Sequence, residues 1–200
     1  MRFLRLSFSV FDDQTLLDNY TQQYRELSEE IIMAMIKDDD LTSYKSSAAV
    51  HIFREQYARE MVGKDKKDVE RILLRRLNRT DSAFVEVEVM HTLIILDRYR
   101  YFGSMIPALI QKMDHYNSTV SDMAFNALDS LIESGNSRSR EARIVFNTLR
   151  KVLFLSRKRL ANIAEPGPKL KQKLKLLRWS IKVLGNQELK RLPKEVINLL

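Results

Sequence analysis

Cysteine is absent from this chain. That excludes a disulfide scaffold and every thiolate metal site, and it fits a reducing compartment, expected to be the cytoplasm. No run of 18 apolar residues occurs, so no membrane span is expected. Tryptophan occurs once, at Trp179, most simply a packing residue. Histidine occurs three times, at His51, His91 and His115, with no pair at i,i+4 enclosing a carboxylate, so a zinc-protease helix is excluded. His51 and His91 are expected to be ordinary helix residues. Gly63-Lys64 lacks the preceding glycine of a phosphate loop, and Asp12-Asp13 and Asp38-Asp39-Asp40 lack the alternation and terminal glutamate of a calcium loop. No nucleophile, base and orienting group stand together as a catalytic set. Neither catalysis nor a cofactor is expected.

Glycine is also scarce. Gly63, Gly103, Gly135 and Gly185 each fall where an apolar stripe stops, as helix terminators do, and Gly167 lies between Pro166 and Pro168 in the one obvious linker. What is plentiful is helical periodicity. Between Ile106 and Gly135, Ile106, Leu109, Ile110 and Met113 form one stripe, with Pro107 in an expected first turn. A polar turn follows from Asp114 to Thr119, rich in capping side chains. Val120, Ala124, Ala127, Leu128 and Leu131 form the second stripe. Neither helix buries its stripe alone, so such a unit must stack on similar units.

This stretch resembles a HEAT repeat, the helical hairpin of α-solenoids. Pro107, the polar turn, Val120, Ala124, Ala127-Leu128 and Leu131 carry the resemblance, while the arginine that often follows the valine is Ser121 here. The resemblance implies an all-α, right-handed α-solenoid. The pattern recurs. Val85, Val89, Leu93 and Leu96 lie 35 residues before Val120, Ala124, Leu128 and Leu131, and Leu73 and Leu77 lie 36 before Leu109 and Met113. Val145, Leu149 and Leu153 lie 40 after Met105, Leu109 and Met113; Leu170, Leu174, Leu177 and Ile181 lie 50 after Val120, Ala124, Ala127 and Leu131.

The parse is therefore four helical hairpins and a final helix, nine helices within a domain of residues 14–200. One long helix is expected from Gln14 to Lys37, with Leu17, Tyr20, Tyr24, Leu27, Ile31 and Met35 inward. Leu41 to Val62 is its partner, and a short helix runs from Asp68 to Leu77. The end, Leu192-Pro193 to Leu200, either caps the core or belongs to a longer solenoid. Residues 1–13 read as a tail or short strand, with Leu4, Leu6, Phe8 and Val10 alternating with polar residues; they match a signal peptide poorly. A four-helix bundle is the structural alternative, but it needs long heptads that the helices near Leu73 and Leu109 lack. The sequons at Asn78 and Asn117 are read as helix caps, and Arg98 to Phe102 as packing.

Charge is uneven. Residues 1–135 hold 17 Lys and Arg against 22 Asp and Glu; residues 136–200 hold 17 against 4. An asymmetry of this size points to an anionic partner for the C-terminal part. Lys171, Lys175, Arg178 and Lys182 follow the stripe of Leu170, Leu174, Leu177 and Ile181 one residue on, making a basic strip along one helix. Arg157-Lys158-Arg159 ends the preceding helix. In the HEAT resemblance, the strip's helix is one that lines the concave groove. Three readings compete for these cations: a solvated face, favoured near helix C-termini by the macrodipole; a site for an acidic protein or for the chain's own acidic half; and a site for nucleic-acid phosphate. The expected function is a scaffold or adaptor holding a protein partner, with nucleic-acid binding as the alternative. Some HEAT-like proteins are DNA glycosylases, but fold likeness alone confers no activity.

Overall fold

The computed structural model describes residues 14–80, 82–96, 102–133 and 139–200. The expected tail or strand at residues 1–13, Gly135 and the Arg98–Tyr101 stretch lie outside them. The described residues are all-helical, with no strand. They form ten α-helices: α1 (Gln14–Tyr24), α2 (Glu29–Lys37), α3 (Ser43–Gln56), α4 (Gly63–Arg79), α5 (Ala83–Leu96), α6 (Phe102–Lys112), α7 (Ser118–Glu133), α8 (Ser139–Leu160), α9 (Pro168–Leu184) and α10 (Lys194–Ile197). A 3-10 turn, Asn186–Arg191, joins α9 to α10. No described helix is long and apolar enough to cross a membrane.

The chain divides into two compact units, one of residues 1–99 with 116–120 and one of residues 100–115 with 121–200. In the first, α2 packs on α3 and α4 on α5, making two hairpins. Between the hairpins α3 meets α5 and α2 meets α4, and α1 lies against α3. Helix α3, which packs on α1, α2 and α5, is the centre, and α5 is buried on every side. The buried residues of α5 run from Phe84 and Val85 through Val87, Val89 and Met90 to Leu93, Ile94 and Leu96. A helix apolar on every side must be enclosed by others. In the second unit, α8 packs on α6, α9 and α10. Its core joins Ile106, Leu109, Ile110 and Met113 to Ala124, Ala127, Leu128, Val145, Phe146, Leu149, Leu174 and Leu177.

Several expectations change. The long first helix is two helices, interrupted at residues 25–28. Ser28 is extended at the N-cap, and Glu29 and Glu30 occupy the first turn of α2, where the helix dipole favours carboxylates. The interruption resets the helical phase. Ile32 and Ile36 are therefore fully buried, while the expected inward residue Ile31 is 47% exposed. Secondly, Pro107 sits well inside α6 rather than in its first turn, and Gly103 lies within the same helix rather than ending the previous one. Thirdly, Gly63 opens α4 at φ +62° instead of closing α3, and α4 is 17 residues long, not the short helix expected at Asp68–Leu77. Gly185 does end α9, at φ +106°, a backbone that favours glycine. The last helix shrinks to the single turn of α10, with Val196 buried.

Candidate functional site

The basic residues of α9 face two ways. Lys171, Lys175, Arg178 and Lys182 are exposed, as the strip requires. Two of them already have partners within the second unit. Lys175 Nζ lies 2.8 Å from the Asp129 carboxylate of α7 and 5.6 Å from the Phe125 ring centroid. Arg178 donates from Nε and Nη2 to the backbone carbonyls of Leu200 and Leu199, at 3.1 and 3.0 Å. The other lysines of α9 turn inward. Lys173 is buried and holds Asp114 at 2.5 Å, while Lys169 Nζ donates to the His115 carbonyl at 2.5 Å. They clamp the polar turn between α6 and α7. Asn117 then caps α7, accepting from the Thr119 and Val120 amides at 3.0 and 3.4 Å. The buried Ser121 hydroxyl donates to the Met113 carbonyl at 2.7 Å.

At the end of α8, Arg157 stacks its guanidinium 4.0 Å from the Phe154 ring centroid, and Lys158 and Arg159 are exposed. This cluster adjoins in sequence a groove that the sequence reading missed. The groove, of about 440 Å³, is lined by Arg150, Lys151 and Phe154 of α8 and by Lys190, Arg191, Leu192 and Pro193. Phe154, Leu192 and Pro193 supply its apolar surface; four cations surround it. The neighbouring 3-10 turn is fastened to α8. The buried Glu188 carboxylate accepts from Arg143 and, at 2.7 Å, from Arg191 Nη1. The hydrogen bond from Arg143, with that from Arg191 and both charges, holds the Glu188 carboxyl below the usual range. The Arg191 guanidinium also lies 5.4 Å from the Phe146 ring centroid. One cation of the rim is thus fixed in place before any ligand arrives.

The groove thus sets cations around an apolar surface. Its lining holds no hydroxyl, thiol, imidazole or carboxylate. A signal for it was present in the sequence. Lys151, Phe154, Leu155 and Lys158 stand at i, i+3, i+4 and i+7, on a face of α8 other than its buried Val145-Leu149-Leu153 stripe.

A second polar cluster, in the first unit, joins His51 and His91, which were expected to be ordinary helix residues. Glu88 is buried within the apolar α5 and so needs partners. His51 Nδ1 lies 2.8 Å from Glu88 Oε1, Arg54 Nη2 lies 3.1 Å from Glu88 Oε2, and His51 Nε2 lies 3.1 Å from Glu55 Oε1. Arg54 Nη1 donates to His91 Nδ1 at 2.9 Å. Burial, then the charge of Arg54, then His51, lower the His91 pKa to about 3. The cluster links α3 to α5 and leaves the buried Arg54 Nε without a hydrogen-bond partner among the described residues. No group of three or more metal-ligating side chains is placed to hold a metal ion among the described residues. Comparison with protein-family profiles, with curated proteins and with solved structures finds no match to this chain.

Proposed function

We propose that this chain is a non-catalytic scaffold of HEAT-like, right-handed solenoid character that holds an acidic protein segment with an apolar anchor. The observation that carries the reading is the groove beside α8, where Arg150, Lys151, Lys190 and Arg191 surround an apolar surface of Phe154, Leu192 and Pro193. Anionic side chains meet the cations, and one apolar side chain leaves water for the floor; interface anchors of this kind commonly dominate affinity. The hairpin contacts of the first unit, α3 on α5 and α2 on α4, support the solenoid reading, since stacked hairpins pair first helices with first and second with second.

The test uses a fluorescein-labelled peptide of twelve residues alternating glutamate with leucine or phenylalanine, titrated by anisotropy at about 150 mM salt. The expected result is preference for this peptide over an all-polar acidic peptide by at least tenfold, about 1.4 kcal/mol. Lys151→Glu with Lys190→Glu should abolish it. Equal affinity for both peptides, or full retention in the double variant, would refute the reading.

The surplus of cations after residue 135 favours a second reading, phosphate binding by Lys171, Lys175, Arg178 and Lys182. Its mark is an affinity for duplex DNA that falls with salt by roughly 0.9 in log K per log salt for each phosphate neutralised. Lys171→Glu with Lys175→Glu should reduce both affinity and slope. The prior engagement of Lys175 and Arg178 within the chain weighs against it.

A further inference from the structure

The first unit carries a groove of the opposite sign. Between α2 and α4 lies a groove of about 450 Å³ whose apolar lining includes Met33, Met61 and Ile72. Glu29, Glu30, Asp65 and Asp68 line it as well, with Lys37 the one cation among the lining residues. A second depression shares Glu29, Met61 and Asp65 and adds Glu60 and Val62, the last 75% exposed. Methionine surfaces adapt to varied apolar partners and make favourable sulfur–aromatic contacts. This groove therefore calls for an apolar knob set among cations.

Such a knob exists on the second unit. Phe154 and Leu155 of α8 are large apolar side chains 49% and 82% exposed, the Phe154 ring carrying the Arg157 guanidinium on one side. Lys151 and Lys158, both exposed, flank them at helical spacing on the same face. From Lys151 to Lys158 the helix advances roughly 10 Å, and α2 extends for about 12 Å, so the two can lie alongside each other. The knob is cationic and apolar where the groove is anionic and apolar.

We propose that the partner is a second copy of this chain, with the Phe154-Leu155 knob of one copy seated in the Met33-Met61 groove of the next. The proposal rests on the reading of the α8 face as a protein-binding surface, but here the exposed Phe154-Leu155 ridge inserts into the partner copy instead of receiving an apolar anchor. Knob and groove are different surfaces, so the contact is head to tail, and copies add in succession until a ring closes or a filament grows. The acidic rim, rather than the methionines alone, sets the direction: a knob meeting another knob would place Lys151 and Lys158 against their own kind.

Sedimentation velocity on the whole chain tests this with two variants. One reverses the groove, Glu29→Lys with Asp65→Lys; the other reverses the knob's flanks, Lys151→Glu with Lys158→Glu. The unmodified protein should form dimers and larger species as concentration rises toward about 100 μM, and these should weaken with salt. Each variant alone should be monomeric. Mixed in equal amounts, one still has a working knob and the other a working groove, so the mixture should associate, as dimers through that pair and as larger species where the reversed knob also meets the reversed groove. Circular dichroism melts check that both fold; should either not, Leu155→Ser replaces the knob variant and Met33→Ser the groove variant. An unmodified protein that stays monomeric, variants that associate as well alone as the unmodified chain, or a mixture that stays monomeric would each overturn the proposal. If the chain is monomeric yet the glutamate–leucine peptide binds beside α8, self-association alone has failed; if neither occurs, the binding surface has failed too.

Discussion

Mild acid should destabilise this protein before most carboxylates titrate, because His91 has no place for a second proton. Its Nδ1 accepts from Arg54 Nη1 at 2.9 Å, and a guanidinium has only donors to offer. Burial, Arg54 and His51 together lower the folded-state pKa to about 3, against 6.5 for the free side chain. The unfolded chain therefore binds more protons than the folded one between these values. The contribution of neutral His91 is complete above pH 6.5 and is lost as pH falls toward 3, at up to about 1.4 kcal/mol per pH unit. From pH 7.5 to pH 5 the loss is about 2 kcal/mol, a sizeable part of a typical stability of roughly 5–15 kcal/mol. Urea denaturation at pH 7.5, 6 and 5 measures it, with His91→Gln as reference. Glutamine keeps an acceptor for Arg54 and does not titrate, and the carboxylates cancel between the two proteins. The unmodified chain should lose about 2 kcal/mol more than the variant over that range. Parallel pH profiles would refute the argument, and so would stabilisation of the unmodified chain by acid.

Two further substitutions test the packing. Ala124 and Ala127 are fully buried on α7, so Ala124→Arg inserts a long cation where a methyl group fits; it should cost about 3 kcal/mol and lower the melting temperature by several degrees. Arg76 is buried on α4 and donates to the Ser46 hydroxyl and to the carbonyls of Ile36, at 3.0 Å, and Asp38, at 2.5 Å, near the C-terminus of α2. Arg76→Ala leaves those carbonyls without their donor and should lower stability by about 3 kcal/mol in urea titrations, and Arg76→Lys should recover only part, because one ammonium cannot reproduce the planar fork.

Periodicity by itself determined that this chain is helical and which side of most helices is apolar. The stripes on α4, α6, α7, α8 and α9 lie inward, and the starts of α8 and α9 fall within a residue or so of expectation. Local chemistry was equally legible at Asn117, which caps α7, and at Gly167-Pro168, which opens α9. These features depend on residues within a few positions of one another, and one sequence contains all of them. The serine and two glutamates at 28–30 also marked the start of α2, but the continuous apolar spacing from Leu17 to Met35 hid the interruption.

Only the tertiary structure decided where the charges go. Lys173 and Lys175 are two residues apart on α9, yet one is buried against Asp114 and the other exposed beside Asp129. Their partners lie 59 and 46 residues away, on elements whose placement no local pattern encodes. The same holds for Glu88, whose compensating His51 and Arg54 stand on a neighbouring helix. A groove is likewise a property of gaps between helices: Phe154 and Leu192 line one surface because α8 and the residues after the 3-10 turn pack together there. Burial of a stripe costs no particular partner, since any apolar surface will serve. An ion pair or a binding groove requires specific atoms within a few ångströms, and that geometry exists only once the helices have docked.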